Sequence, residues 1–458
     1  MAVQLDYLAH EGWQPENPDE DYVISLLDIE IADGIPDDEE TFKKAAASIA
    51  SESSTGTWTN VYAGEGSGIP LANEMRALAY DLDYPTRTFK VAYQIDLFEY
   101  DNMSGLLAGL IGNIEGMKML KALRCLDIRF PRKIIEAFPG PAFGISGVRE
   151  FMNKPHGPLL CTVPKPKLGR TAEEQADLAR ILFTAANAEY DGIKDDENLT
   201  NLKFNKFEDR CRLVHAVRRE IEEKTGKKKF SLTNTTHSNI DKMLERANLI
   251  KEEGGRWMML DCVTTGFAAV HTVRLKNPGL AIHAHRAMHG FMTRESGEGA
   301  YNLGKILDFS MSMTLLAKLM RMLGVDSLHG GTPKGKMEDY GEAERIRDVL
   351  QLDETPATKL SLGQKWYGMK PVWHTASGGL HAGTVPEVLK RLGEDIIIQC
   401  GGGSLGHPDG IEAGVEAIVQ ARDIVMNKLD VNKWLEENPN SALARAAEHW
   451  GFDPRIVY

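Results

Sequence analysis

No run of about 18 apolar residues occurs in this 458-residue chain, so no segment is suited to cross a membrane as a helix. The nearest approach, SMSMTLLAKLMRMLG, is broken by Lys318 and Arg321 and predicts an amphipathic helix. Cysteine is scarce. Cys125, Cys161, Cys211, Cys262 and Cys400 are scattered, odd in number and never spaced as CxxC, which excludes a disulfide framework and an ordinary zinc site. A reducing cytoplasm is the expected location. The opening residues, MAVQLDYLAHEGWQPENPDED, are polar and acidic and do not resemble a signal peptide. Positive charge is in deficit: the net charge is -13, with acids and bases mixed along the chain, which argues against nucleic acid as the main partner. The 42% hydrophobic and 26% charged residues are ordinary for a globular protein. The length fits one large and one small domain.

From about residue 159, short apolar segments alternate with helical patterns. The segments are 159–167, 189–197, 228–236, 256–266, 279–288, 325–332, 370–379 and 396–407. Eight strand-then-helix units predict a parallel (β/α)8 barrel, whose strands are buried on both faces and therefore read as near-continuous apolar runs. Thr171 with Glu174 forms a capping-box pattern opening one helix, and Gly226 stops the next. The first part alternates differently and predicts an α+β domain, with strands near 21–31, 73–84 and 88–98 and helices near 38–53 and 103–116. The expected organisation is an α+β domain over 1–140, a barrel over 141–425 and a small helical extension over 426–458.

The polar residues of the eight segments gather at their C-terminal ends, the face on which barrel enzymes build their sites. The segment DGIKDDENL sets Lys194 beside Asp195, Asp196 and Glu197. Asp196 and Glu197 are hard oxygen ligands suited to Mg2+, whereas an ammonium at Lys194 repels a cation. A salt bridge is one reading of Lys194. The other is capture of CO2 by the neutral amine to give an anionic carbamate, which requires a lysine pKa below the usual ~10.4. In VPKPKLG, Lys165 and Lys167 share strand parity and form either a surface basic patch or a pair for proton transfer and electrostatic stabilisation. HAHRAMHG gathers His283, His285, Arg286 and His289, a group suited to phosphate or acid–base work. HGGTPKGKMED carries Lys334 and Lys336 on a glycine-rich loop, either a plain turn or a lid. Ser377, Gly378 and Gly379, with Gly401, Gly402 and Gly403, offer backbone N–H groups to an anion. Two anion sites suggest a substrate phosphorylated at both ends.

Taken in order, ESSTGTW, GNIEGMK, KPKLG, KDDEN, HAHRAMH, HGGTPKGK, SGG and GGGSLGHPDG resemble the large subunit of ribulose-1,5-bisphosphate carboxylase/oxygenase (RuBisCO) over nearly the whole chain. VPKPK with KDDENLT is most similar to the archaeal-type form III branch, which lacks small subunits. The resemblance implies a ferredoxin-like N-terminal domain before the barrel. It implies that Lys194 is carbamylated by an activating CO2 and binds Mg2+ with Asp196 and Glu197, and that the carbamate removes the C3 proton of ribulose bisphosphate. Lys336 would polarise the incoming CO2, Lys165 would handle later proton transfers with support from Lys167, and His285 would assist proton movement. Arg286 and His329 would bind one phosphate; Thr57, Trp58, Gly379, Gly401 and Gly402 would bind the other, and Ser377 would contact substrate hydroxyls. Glu52 and Asn113 would reach the barrel of a neighbouring subunit, so a complete site implies at least a homodimer.

The sequence departs from the plant enzyme at Val163 and Pro164, which stand where it has Thr-Ile, and at Gly330, which stands where it has Ser. These positions bear on turnover and on CO2/O2 discrimination. Archaeal-type relatives work in nucleotide salvage, and the sequence does not separate that role from carbon fixation. Two other readings are a RuBisCO-like enolase or isomerase acting on another phosphorylated sugar, and a non-catalytic sugar-phosphate-binding or scaffold protein. Lys165, Lys336, Thr57, Trp58 and Ser377 are all present, which favours the carboxylase.

Overall fold

The computed structural model describes residues 5–56, 70–276, 279–294, 309–334 and 341–454. The chain forms two compact units, one from residues 1–138, 288–319 and 352–369, the other from 139–287, 320–351 and 370–458. Two stretches inside the span expected for the barrel therefore cluster with the first unit, whereas the terminal helices Val431–Glu437 and Ala442–Trp450 cluster with the barrel.

The first unit holds a five-stranded sheet in the order Phe309–Met311, Leu120–Arg129, Tyr22–Ile31, Thr88–Gln94, Leu78–Asp83. The central strands pair antiparallel, and Phe309–Met311 adds to one edge in parallel. Helix Glu39–Glu52 buries Phe42, Ala45, Ala46 and Ile49, and its first turn is capped by Asp38, which accepts from Thr41 N–H at 2.8 Å. The strand Leu120–Arg129 has no counterpart among the strands expected from sequence. Its charged Arg124 and Asp127 interrupt the apolar pattern, yet both are buried: Arg124 donates to Ser310 Oγ at 2.8 Å, and Asp127 pairs with the buried Lys318 at 2.7 Å.

The second unit contains a closed ring of eight parallel strands. In chain order they are Leu159–Thr162, Gly192–Lys194, Phe230–Asn234, Trp257–Asp261, Ala281–His285, Ser327–His329, Trp373–Ser377 and Ile396–Gln399, one within each segment expected from sequence. The ring closes where Gln399 of the eighth strand registers with Cys161 of the first. Leu160, Ile193, Leu232, Met258, Ile282, Leu328, Ala376 and Ile398 are buried, as strands covered on both faces require. Helix Ala172–Ala188 begins with both bonds of the Thr171/Glu174 capping box, and helix Phe207–Thr225 ends at Gly226 in the left-handed region. All five cysteines are buried and free. Among the described residues no helix is long and apolar enough to cross a membrane.

Candidate active site

The strands are shorter than the segments that announced them, and this relocates several site residues. The first strand ends at Thr162, so Lys165 and Lys167 lie on the loop that follows rather than on a strand of fixed parity. The second ends at Lys194, which frees Asp196 and Glu197 to turn. Gly192 is required two positions before Lys194, because a side chain there would meet the Phe230 ring of the adjacent strand at 2.2 Å.

A cavity of about 740 Å³ opens at the C-terminal ends of the barrel strands. Lys165, Lys167, Lys194, Asp196, Glu197, His285, His329, Ser377, Gly378, Gly379, Gly401 and Gly402 all border it. Six elements of the ring thus deliver the residues singled out in the sequence to one place.

The structure sorts the three acids after Lys194. Asp195 faces away: its Oδ2 accepts from the buried Arg210 Nε and from Asn234 N–H, each at 3.0 Å. Asp196 and Glu197 face the cavity. Burial works to raise the Asp196 pKa, but hydrogen bonds from the backbone and side chain of Asn198 and the charges of Lys165 and Lys194 outweigh it and hold it below its usual value. Lys165 Nζ lies 3.4 Å from Asp196 Oδ2.

Lys194 is 1% exposed and donates to the backbone oxygen of Asp195 at 2.7 Å. Burial pulls its pKa below the usual lysine value, against the opposing charges of Glu197, Asp196 and Asp261. Burial therefore brings the neutral amine, the form that reacts with CO2, within easier reach than in a free lysine. Among the described residues no three His, Cys, Asp or Glu side chains are arranged to hold a metal ion. A cation held by Asp196 and Glu197 would need its third protein oxygen from elsewhere, and the adjacent buried amine can supply one by becoming a carbamate. The donor set fits Mg2+ on that condition.

His285 stands between two carboxylates, with Nε2 at 3.7 Å from Glu197 and Nδ1 at 3.2 Å from Asp261. The Ala287 amide N–H also donates to Nδ1, at 3.2 Å. An amide donor calls for a bare nitrogen and a carboxylate for a protonated one, so this ring can hold or release a proton without moving. His329, whose ring centroid is 5.1 Å from that of His285, is kept neutral by burial and then by the charge of Arg286, and its buried Nδ1 has no hydrogen-bond partner among the described residues. Arg286 does not border the cavity directly; its Nη1 donates to Gly330 O at 3.3 Å. Gly378 and Gly379 take φ of 121° and 83°, values that side chains disfavour.

Of the other histidines, His283 is a core residue bonded to Ser327 Oγ at 2.8 Å, and His289 opens the helix His289–Thr293 in the first unit. Glu52 ends helix Glu39–Glu52 of the first unit and Asn113 precedes a 3-10 turn there, both exposed. Thr57, Trp58 and Lys336 lie outside the described residues. Gln399, His381 and Trp450 also line the cavity and were missed in the sequence. Gln399 could have been found, since it precedes the glycine run at the end of the eighth strand; Trp450, from the terminal helix, carries no local signal.

Comparison with known proteins agrees with this geometry. The model of the ribulose bisphosphate carboxylase large chain catalytic domain matches residues 144–450, and that of the N-terminal domain matches 15–134. A ribulose bisphosphate carboxylase from Methanocaldococcus jannaschii is 41% identical over 418 residues, 90% of this chain and 94% of that protein. The dimeric archaeal Rubisco from Hyperthermus butylicus is 37% identical, with a TM-score of 0.85 over 98% of this chain and 100% of that one. The octameric ribulose-1,5-bisphosphate carboxylase/oxygenase from Pyrococcus horikoshii, in complex with sulfate, is 36% identical, with a TM-score of 0.82 over 98% of this chain and 97% of that one. A lysine buried beside two carboxylates at the mouth of a closed barrel, together with matches along nearly the whole length, shows that this chain belongs to the ribulose bisphosphate carboxylase large-chain family.

Proposed function

We propose that the chain is a ribulose-1,5-bisphosphate carboxylase/oxygenase that enolises ribulose bisphosphate, adds CO2 or O2 and, after CO2 addition, takes up one water and cleaves the hydrated product to two molecules of 3-phosphoglycerate. The observation that carries this reading is the buried Lys194 amine, its pKa depressed, opening on the same cavity as Asp196 and Glu197. Lys194, once carbamylated by an activating CO2, offers an anionic oxygen that takes the C3 proton. That carbamate, with Asp196 and Glu197, would hold Mg2+, which would supply Lewis-acid stabilisation of developing negative charge. Lys165, 3.4 Å from Asp196, is placed to donate a proton late in the reaction, and the exposed Lys167 adds positive potential beside it. His285, hydrogen-bonded to Asp261 through Nδ1, assists proton movement. His329 and Arg286 receive one phosphate, while Gly379, Gly401 and Gly402, with Thr57 and Trp58, receive the other. Ser377 meets a substrate hydroxyl, and Lys336 polarises the incoming CO2.

Glu52 and Asn113 complete the site of a second copy, so the working form is a homodimer or an assembly of dimers without small subunits, located in the cytoplasm. The test is formation of 3-phosphoglycerate from ribulose bisphosphate after preincubation with CO2 and Mg2+. Production that survives strict removal of CO2 during preincubation, followed by an immediate assay, counts against the carbamate. No product under full activation counts against the carboxylase.

A further inference from the structure

Where the sixth strand ends, two consecutive carbonyls are held by two different side chains. Arg286 Nη1 donates to Gly330 O at 3.3 Å, and His374 Nε2 lies 2.9 Å from Gly331 O. A carbonyl can only accept, so the His374 proton sits on Nε2. His374 belongs to the seventh strand, registers with Leu328 of the sixth, and is fully buried. Its ring also lies flush against Gly330. A Cβ added there would come 2.3 Å from His374 Cε1 and 2.6 Å from Nδ1, and neither can yield because the ring is enclosed. A Cβ on Gly331 would come 2.7 Å from Arg286 Nη2. The departure from the plant enzyme at position 330 thus has a physical partner: the volume a serine side chain would need is filled by an imidazole.

We propose that His374 is a positioning residue for the anion-binding end of the site, holding the Gly330–Gly331 backbone, to which Arg286 is bonded, in the form that keeps the adjacent His329 on the cavity wall where a substrate phosphate would bind. Burial pushes the His374 pKa down to about 4, so the ring stays a neutral, single-tautomer donor at working pH. Gly330 and His374 act as one unit, in which the size of one residue dictates that of the other. The inference relies on the carboxylase reading only for the identity of the phosphorylated ligand.

A two-residue cycle in the full-length protein tests it. Gly330→Ala sets a methyl group against the ring and lowers kcat/KM about tenfold. His374→Ala loses the bond to Gly331 and raises the KM for ribulose bisphosphate about fivefold, with a smaller change in kcat. Gly330→Ala/His374→Ala is more active than Gly330→Ala, because the methyl group now has room. His374→Gln keeps an N–H donor and retains most of the wild-type KM. Independently of turnover, inorganic phosphate raises the melting temperature of the wild type; this rise shrinks in His374→Ala and returns in His374→Gln. Should Gly330→Ala not fold, recovery of folded protein in the double variant reports the same coupling. Losses that simply add, or a phosphate response untouched by His374→Ala, overturn the proposal. A wild type inactive on ribulose bisphosphate but with the expected phosphate response removes the activity reading and leaves this one standing.

Discussion

In the proposed reaction Lys194 and Lys336 serve different transition states, and their variants should therefore fail differently. On that reading the C3 proton leaves before CO2 is attacked, and its removal is expected to depend on Lys194 rather than on Lys336. Lys336→Ala should abolish carboxylation yet keep measurable exchange of the C3 proton of ribulose bisphosphate with solvent, followed by loss of isotope from labelled substrate. Lys194→Ala should lose both activities while remaining folded, since the buried side chain ends on the cavity rather than in the apolar core, checked by a melting curve. Equal loss of exchange and carboxylation in Lys336→Ala, with substrate binding intact, would sink this division of labour. The sequence made the residue types legible and, through strand alternation, part of their directions. Strand alternation sets Asp196 on the side of Lys194 and Asp195 on the other, and Glu197 joins Asp196 only if the strand ends there. What the letters did not give is the strand end at Lys194 that lets Glu197 turn in, and Arg210, which holds Asp195 away.

At the scale of the element, the barrel strands were legible because burial on both faces leaves long apolar runs, whereas their lengths were not. The first segment promised nine residues and gave a four-residue strand, because Pro164 and Pro166 lack the N–H donors that a ladder needs. The strand Leu120–Arg129 was hidden because its charges find partners far along the chain, which no local pattern reveals. One helix end carries a testable charge. Helix Ala172–Ala188 closes through Ala186, Asn187 and Ala188 at positive φ, and Lys229 Nζ donates to Ala188 O at 2.5 Å and Tyr190 O at 2.6 Å. Burial pulls the Lys229 pKa down to about 8. The unfolded chain holds this proton up to about pH 10.4, so between the two values it binds more protons than the folded protein, and the wild type gains stability as pH rises. Lys229→Met lacks this proton. The gap in unfolding free energy, wild type minus variant, should widen from pH 8 to 10 by on the order of 1 kcal/mol per unit. Denaturant melts across that range check it, and a constant gap refutes it.

At the scale of the whole molecule, the site is expected to be shared between copies, with Glu52 and Asn113 from one chain serving the barrel of another. Mixing Glu52→Gln with Lys194→Ala protomers should then restore activity, because each mixed dimer holds one undamaged composite site. Dimers shown by mass to be mixed, yet inactive, would place the site within a single chain. The closure of the ring between Gln399 and Cys161 has a further consequence, for safety rather than speed. An open sheet can shed an outer strand and keep a working remainder. A closed cylinder has no outer strand, so losing any one opens the whole. The rim residues should therefore be lost together once the ring opens, so that a partly unfolded chain is expected to hold no half-built centre able to take a proton from a bound sugar and then let the reactive product escape.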